Sequence, residues 1–121
     1  MDRQVRQALI IEDYQAAAET FKELLEMLGC EANYVMAGAE APQALSQRDY
    51  DVVFMDLNLP DISGVALVKQ LRTLAAGRMP KFVAVSGYAE AELGKEASDL
   101  FDFYLEKPLD MNNLERILQS F

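Results

Sequence analysis

Five short apolar runs, each followed by a segment of helical periodicity, limit what this chain can fold into more than any other feature. The runs cover Ala8 to Ile11, Asn33 to Met36, Asp51 to Met55, Phe82 to Val85 and Phe101 to Leu105. Runs this short suit strands better than buried helices. Val52 to Met55 is apolar without interruption, the pattern of a strand covered on both faces, as in a parallel sheet. Between the runs the apolar spacing changes to three and four. Ala17, Phe21, Leu24, Leu25 and Leu28 mark a first helix closed by Gly29, and a second helical stretch lies near Glu40 to Gln47. Val65, Val68 and Leu71 share one face of a third, which ends near Gly77 and Pro80. A weaker helix covers about Ala89 to Ala97 and contains Gly94. Asp110 then caps a last helix whose stripe is Met111, Leu114, Ile117, Leu118 and Phe121. This alternation predicts one α/β domain over residues 1–121, built on an open, doubly wound, five-stranded parallel sheet.

Charge and composition exclude several classes of function. Twenty Asp and Glu against 11 Lys and Arg give a formal charge of -9, which opposes phosphate backbones and anionic lipid. Direct nucleic-acid binding and membrane contact are therefore not expected of this domain. No apolar run approaches the roughly 18 residues of a membrane span. The single cysteine, Cys30, cannot form an internal disulfide, so a reducing, cytoplasmic setting is expected, although a parent protein could be membrane-anchored. Cys30 reads as a small hydrophobe at a helix end. Histidine is absent, and any step that needs one must borrow it from a partner.

The polar residues that end the strands fall on one edge. They are Glu12 and Asp13 after the first run, Asp56 at the third, Ser86 at the fourth and Lys107 after the fifth. Ligands of an open parallel sheet collect outside the carboxyl ends of its strands. Asp56, which follows an apolar run, need not be buried if its strand ends at such a rim. Taken singly, each residue has a commonplace explanation as a cap, turn or solvated side chain. Together, three carboxylates repel unless something neutralises them, and oxygen ligands suit a hard divalent cation such as Mg²⁺. A lysine beside them suits phosphoryl transfer, with Asp56 as nucleophile.

With these motifs in order, the chain resembles the receiver domain, the phosphoacceptor module of two-component response regulators and hybrid histidine kinases, over nearly all of residues 5–121. The resemblance rests on Glu12-Asp13 in LIIEDY, Asp56 in VVFMDLNLPDISG, Ser86 in VAVSGY and Lys107 in FYLEKPLD. The intervals are 43, 30 and 21 positions. It implies a flavodoxin-like (βα)5 fold with strand order 2-1-3-4-5 and a phosphorelay in which Asp56 accepts a phosphoryl group. The donor would be a histidine kinase or a histidine phosphotransfer protein. Mg²⁺, for which Mn²⁺ can substitute, would be held by the carboxylates of Asp13 and Asp56, by Glu12 largely through water, and by the Asn58 carbonyl. Lys107 would contact the phosphoryl oxygens, Ser86 would move to hydrogen-bond one of them, and Tyr104 matches the switch aromatic. The Lys107-Pro108 peptide would be cis.

The same resemblance implies self-phosphorylation and slow self-dephosphorylation, with no kinase catalytic segment in these residues. The output surface would comprise the fourth helix, fifth strand and fifth helix, with an output partner the sequence does not identify, and the domain would be a monomer or weak dimer. The chain reads either as a free-standing receiver or as one excised from a hybrid kinase. Pro60 would stiffen the loop after Asp56, and Gly64 would admit either a close approach or a positive φ. Glu12 replaces the more frequent Asp, Gly87 takes a place usually held by alanine, and Tyr88 is positioned to cover part of the site.

Three rival readings follow from the same residues. An aspartyl-phosphate phosphohydrolase would want a second acid two residues after its nucleophile, where this chain has Asn58. A flavin carrier is opposed by Glu12-Asp13, which would repel a flavin phosphate. A docking module that works without phosphorylation would not need every reactive position intact.

Overall fold

A computed structural model describes residues 6–74, 79–88 and 94–120. Five strands, β1 (Gln7–Ile11), β2 (Glu31–Val35), β3 (Val52–Asp56), β4 (Lys81–Ser86) and β5 (Phe103–Glu106), form one parallel sheet in the order β2-β1-β3-β4-β5. Between and after them lie α1 (Gln15–Met27), α2 (Ala41–Gln47), α3 (Gly64–Leu74), α4 (Gly94–Leu100) and α5 (Met111–Gln119). This is the flavodoxin-like arrangement, with β3 at the centre between β1 and β4.

Both faces of the sheet are covered, which accounts for the uninterrupted apolar strands. Successive side chains of a strand point to opposite faces. Ala8, Ile10, Val52 and Phe54 accordingly join a core with Phe21 and Leu25 of α1 and Leu114, Ile117 and Leu118 of α5. Leu9, Ile11, Val53 and Met55 join a second core with Leu67, Val68 and Leu71 of α3. Fully burying one such side chain stabilises the fold by about 1.5–3 kcal/mol. The Phe21 and Phe54 rings meet at a centroid distance of 4.9 Å.

Local chemistry sets the element ends. Gly29 takes φ +89°, a left-handed conformation that terminates α1. Cys30 behind it is buried, and burial pushes its thiol above the ordinary value. The Asp110 side chain accepts the Asn112 N–H at 2.8 Å and caps α5. No described helix is long and apolar enough to cross a membrane.

Several boundaries differ from the sequence reading. β2 begins at Glu31, because Glu31 pairs with Gln7 on an edge strand that tolerates a solvated acid. β5 begins at Phe103 rather than Phe101. Phe101 donates its N–H to the Ala97 carbonyl and so still belongs to the end of α4, while its ring packs into the second core. On α3, Leu67 joins Val68 and Leu71 in the core, and Val65 is only half-buried. Gly94, placed inside the fourth helix by sequence, has φ +85° and opens α4, which runs past Ala97 to Leu100. A single turn of 3-10 helix, Gly38–Glu40, precedes α2. Gly77, residues 89–93 and Phe121, which the sequence reading used, lie outside the described residues.

Candidate functional site

The carboxyl ends of β1, β3, β4 and β5 bring the strand-terminal polar residues together. Glu12 follows β1 and is tied to β2 by its N–H, which donates to the Val35 carbonyl at 3.1 Å. Asp56 is the last residue of β3 and Ser86 the last of β4. Lys107 follows β5, and its N–H donates to the Ser86 carbonyl at 2.8 Å. The Lys107-Pro108 peptide is cis, as the resemblance implied.

Asp56 stands at the strand-end rim to which the sequence pointed, but it is largely shielded from water there. Only 6% of it is exposed, because protein groups replace water at its carboxylate. Lys107 Nζ lies 3.0 Å from Oδ2, and the Asn58 N–H donates to Oδ1 at 2.9 Å. Glu12 is equally buried, with Oε1 3.5 Å from Lys107 Nζ. Its other oxygen, Oε2, is buried without a hydrogen-bond partner. That orphaned oxygen is open to a proton, a water or a cation.

The electrostatics divide the two buried acids. Burial, then the neighbouring Asp56 carboxylate, pushes Glu12 up to about 7. Burial also opposes ionisation of Asp56, but the contact with Glu12, the Asn58 N–H and the Lys107 ammonium outweigh it and hold Asp56 below the ordinary carboxylate value. Burial pulls Lys107 down, and the attraction of Asp56 and Glu12 outweighs that, so its value is raised. Of the two acids, Glu12 is thus the one that holds a proton more readily and Asp56 the one that ionises first.

Among the described residues, one ligand oxygen each from Glu12, Asp13 and Asp56 lies within 4.8 Å of the others. Three carboxylates, one with an unpartnered buried oxygen, form a donor set that can chelate a hard divalent cation. Asp13 is exposed and completes the cluster from the solvent side.

The remaining sequence-marked residues surround this cluster. Ser86 Oγ accepts the Tyr88 N–H at 3.1 Å, and the Tyr104 hydroxyl donates to the Tyr88 carbonyl. Tyr88 therefore links Ser86 to Tyr104. It is 57% exposed and borders an open cleft of 440 Å³ with Asn58, Ser63 and Ser86. Pro60 is exposed beside buried Leu59. At Gly64 the close-approach alternative holds: a β-carbon would fall 2.5 Å from Leu57 Cδ2, and Gly64 is not among the positive-φ glycines. Gly87 has open space around it.

Two features were not marked by sequence. A mostly apolar groove of 460 Å³ runs from Asp56 and Lys107 across Tyr14, Phe21, Leu24 and Pro108. Its walls come from α1 and from the loop after β5, distant stretches whose juxtaposition requires the fold. Asp61 accepts the N–H groups of Gly38 and Ala39, 23 and 22 residues before it. The one local hint was Ala37, which precedes the 3-10 turn and has no side-chain acceptor to cap it.

A doubly wound sheet with an acidic cluster and a lysine at the ends of its strands defines the class of protein. The chain belongs to the response regulator receiver domain family, whose model matches residues 8–119. A CheY-like response regulator receiver domain from Methylobacillus flagellatus is 68% identical and superimposes with a TM-score of 0.92, covering 97% of this chain and 98% of that one. The receiver domain of the sensor histidine kinase PA1611 from Pseudomonas aeruginosa PAO1, with a magnesium ion coordinated in its active-site cleft, is 27% identical. Its TM-score is 0.82, and 97% of each chain is covered. The sensor histidine kinase AtsR of Burkholderia thailandensis is 32% identical over 114 residues, which are 92% of this chain and 19% of AtsR. The chain spans less than half the length of curated relatives such as this one.

Proposed function

We propose that Asp56 is the phosphoryl acceptor of a histidine-to-aspartate relay. The observation that carries this reading is the ion pair of Asp56 with Lys107 beside the orphaned Glu12 oxygen. It leaves Asp56 ionised and next to a place for a cation. Glu12, Asp13, Asp56 and the Asn58 carbonyl would hold Mg²⁺, or Mn²⁺ in its place; the magnesium in the 27% identical relative supports this. When bound, the cation offsets the repulsion between an anionic nucleophile and an anionic phosphoryl group.

A carboxylate oxygen of Asp56 attacks the phosphorus of a partner's phosphohistidine. The P–O bond forms, the P–N bond breaks, and the histidine nitrogen keeps the electron pair and is left to take up a proton. Lys107 turns from the Asp56 carboxylate to the transferred phosphoryl oxygens, where its charge is retained. The Ser86 hydroxyl leaves the Tyr88 N–H and donates to a phosphoryl oxygen, which loosens the Ser86–Tyr88–Tyr104 linkage and shifts the population at the surface of α4, β5 and α5. Similarity to sensor histidine kinases supports a histidine kinase or histidine phosphotransfer protein as donor, with the apolar groove beside Lys107 as its approach surface. The charge and single cysteine support a cytoplasmic setting.

Incubation with acetyl phosphate, read by intact mass, tests this. One phosphoryl group should be added with Mg²⁺, and none in EDTA or to D56N. Incorporation by D56N equal to that of the wild type would overturn it.

A further inference from the structure

We infer that Asp61 is a positioning residue for the cation site: its carboxylate clamps the loop after β3 to the turn after β2 and so fixes where the Asn58 carbonyl is presented. The inference rests on the reading of Asn58 as a ligand.

The clamp has three parts. Asp61 Oδ1 accepts the Gly38 N–H at 3.1 Å and Oδ2 accepts the Ala39 N–H at 3.0 Å. These are the leading donors of the 3-10 turn Gly38–Glu40, and leading N–H groups of a helical turn need an outside acceptor. Ala37 stands at the capping position and has no side-chain oxygen to offer, so the cap comes from a different loop. The second part is steric. Ile62, half-buried against the α3-side core, lies over Gly38 so closely that a β-carbon there would fall 2.4 Å from Ile62 Cγ2. Only glycine lets the two loops meet at that distance.

The third part is the intervening chain. The Leu57 N–H donates to the Val85 carbonyl at 3.1 Å, the Asn58 N–H to Asp56 Oδ1, and Leu59 is buried. With Pro60 restricting φ, the segment from Asp56 to Asp61 is held at both ends and has little freedom between them. Asn58 is exposed within it, and its N–H is held by the Asp56 carboxylate. The two backbone N–H bonds also lower the Asp61 carboxyl value, in keeping with a carboxylate held ionised at the turn. Binding sites lose affinity when a partner that orients a ligand is removed, commonly by about tenfold or more. Coupling of this kind is reciprocal, so a cation at Asn58 must also be felt at Gly38 and Ala39.

The test is an Mg²⁺ titration of ¹⁵N-labelled wild type, D61A, D61N and G38A. In the wild type the amides of Gly38 and Ala39 should shift with the same midpoint as Asn58. In D61A that shift should vanish and Mg²⁺ affinity should fall about tenfold, with the rate of acetyl phosphate labelling recovered at saturating Mg²⁺. D61N, which keeps one acceptor oxygen, should lie between, and G38A should weaken Mg²⁺ through the displaced Ile62. The core variant I117V, which also lowers Tm, should leave Mg²⁺ affinity unchanged. Wild-type Mg²⁺ affinity in D61A, with labelling intact, overturns the clamp alone. Absence of Mg²⁺ binding by the wild type overturns the clamp together with the reading of the site.

Discussion

Lys107 Nζ stands 3.0 Å from Asp56 Oδ2, and the same ammonium is 3.5 Å from Glu12. One cation is thus shared by two buried acids, and the raised value of Glu12 eases the imbalance by favouring its protonated form. The chemistry of the site follows from this imbalance.

Removing the ammonium should destabilise the metal-free protein. Breaking a fully buried pair costs about 3–5 kcal/mol. The Lys107 side chain is 38% exposed, so solvent screening reduces the expected cost of K107A to about 1–2 kcal/mol. Urea denaturation in EDTA measures it. Mg²⁺ should narrow the gap between K107A and wild type by replacing the lost charge.

Glu12 makes metal-free stability depend on pH. Its folded-state value, about 7, lies above the ordinary 4.5, so between those values the folded protein holds a proton that the unfolded chain has released. The stabilisation is present below about pH 4.5 and is lost as pH rises through about 7. The urea midpoint in EDTA should therefore fall from pH 5 to pH 7.5, and E12Q should flatten that slope. A slope unchanged in E12Q would assign the proton elsewhere.

The two glycines flanking the site should respond unequally to a methyl group. At Gly64 a β-carbon meets Leu57 Cδ2 at 2.5 Å and the Leu57 backbone at 3.1 Å, so G64A should cost about 1–3 kcal/mol. At Gly87 nothing lies within 4 Å, and G87A should stay within about 0.5 kcal/mol of wild type. Chemical denaturation of both variants checks the contrast.

Y104F deletes the hydroxyl that donates to the Tyr88 carbonyl. The loop after β4 should then open more often, seen as faster hydrogen exchange at the Tyr88 amide, whose partner is Ser86 Oγ. Equal exchange in Y104F and wild type would break the proposed Ser86–Tyr88–Tyr104 linkage.

The sheet was legible because β1, β3 and β4 are apolar on both faces and are therefore continuous in sequence. β2 and β5 were less so: Glu31 is a solvated acid on an edge strand, and Phe101 is an apolar residue that packs from a helix end. The polar residues of the candidate site were legible because each ends or closely follows a strand, where alternation stops and a polar group is conspicuous. The burial of Asp56 was not, since it depends on Lys107 arriving from 51 residues away and on an amide two residues on. Asp61 escaped notice for the same reason, because its partners lie in another loop and a lone acid after proline reads as a turn.

The most direct test of the central claim is to locate the bond. After labelling with acetyl phosphate and Mg²⁺, borohydride reduction converts an aspartyl phosphate to homoserine, and tandem mass spectrometry of the peptide spanning residues 51–64 reads its position. The account predicts homoserine at position 56, dependent on Mg²⁺. Homoserine at Asp51 or Asp61, or none in this peptide while the intact protein carries the label, would contradict it.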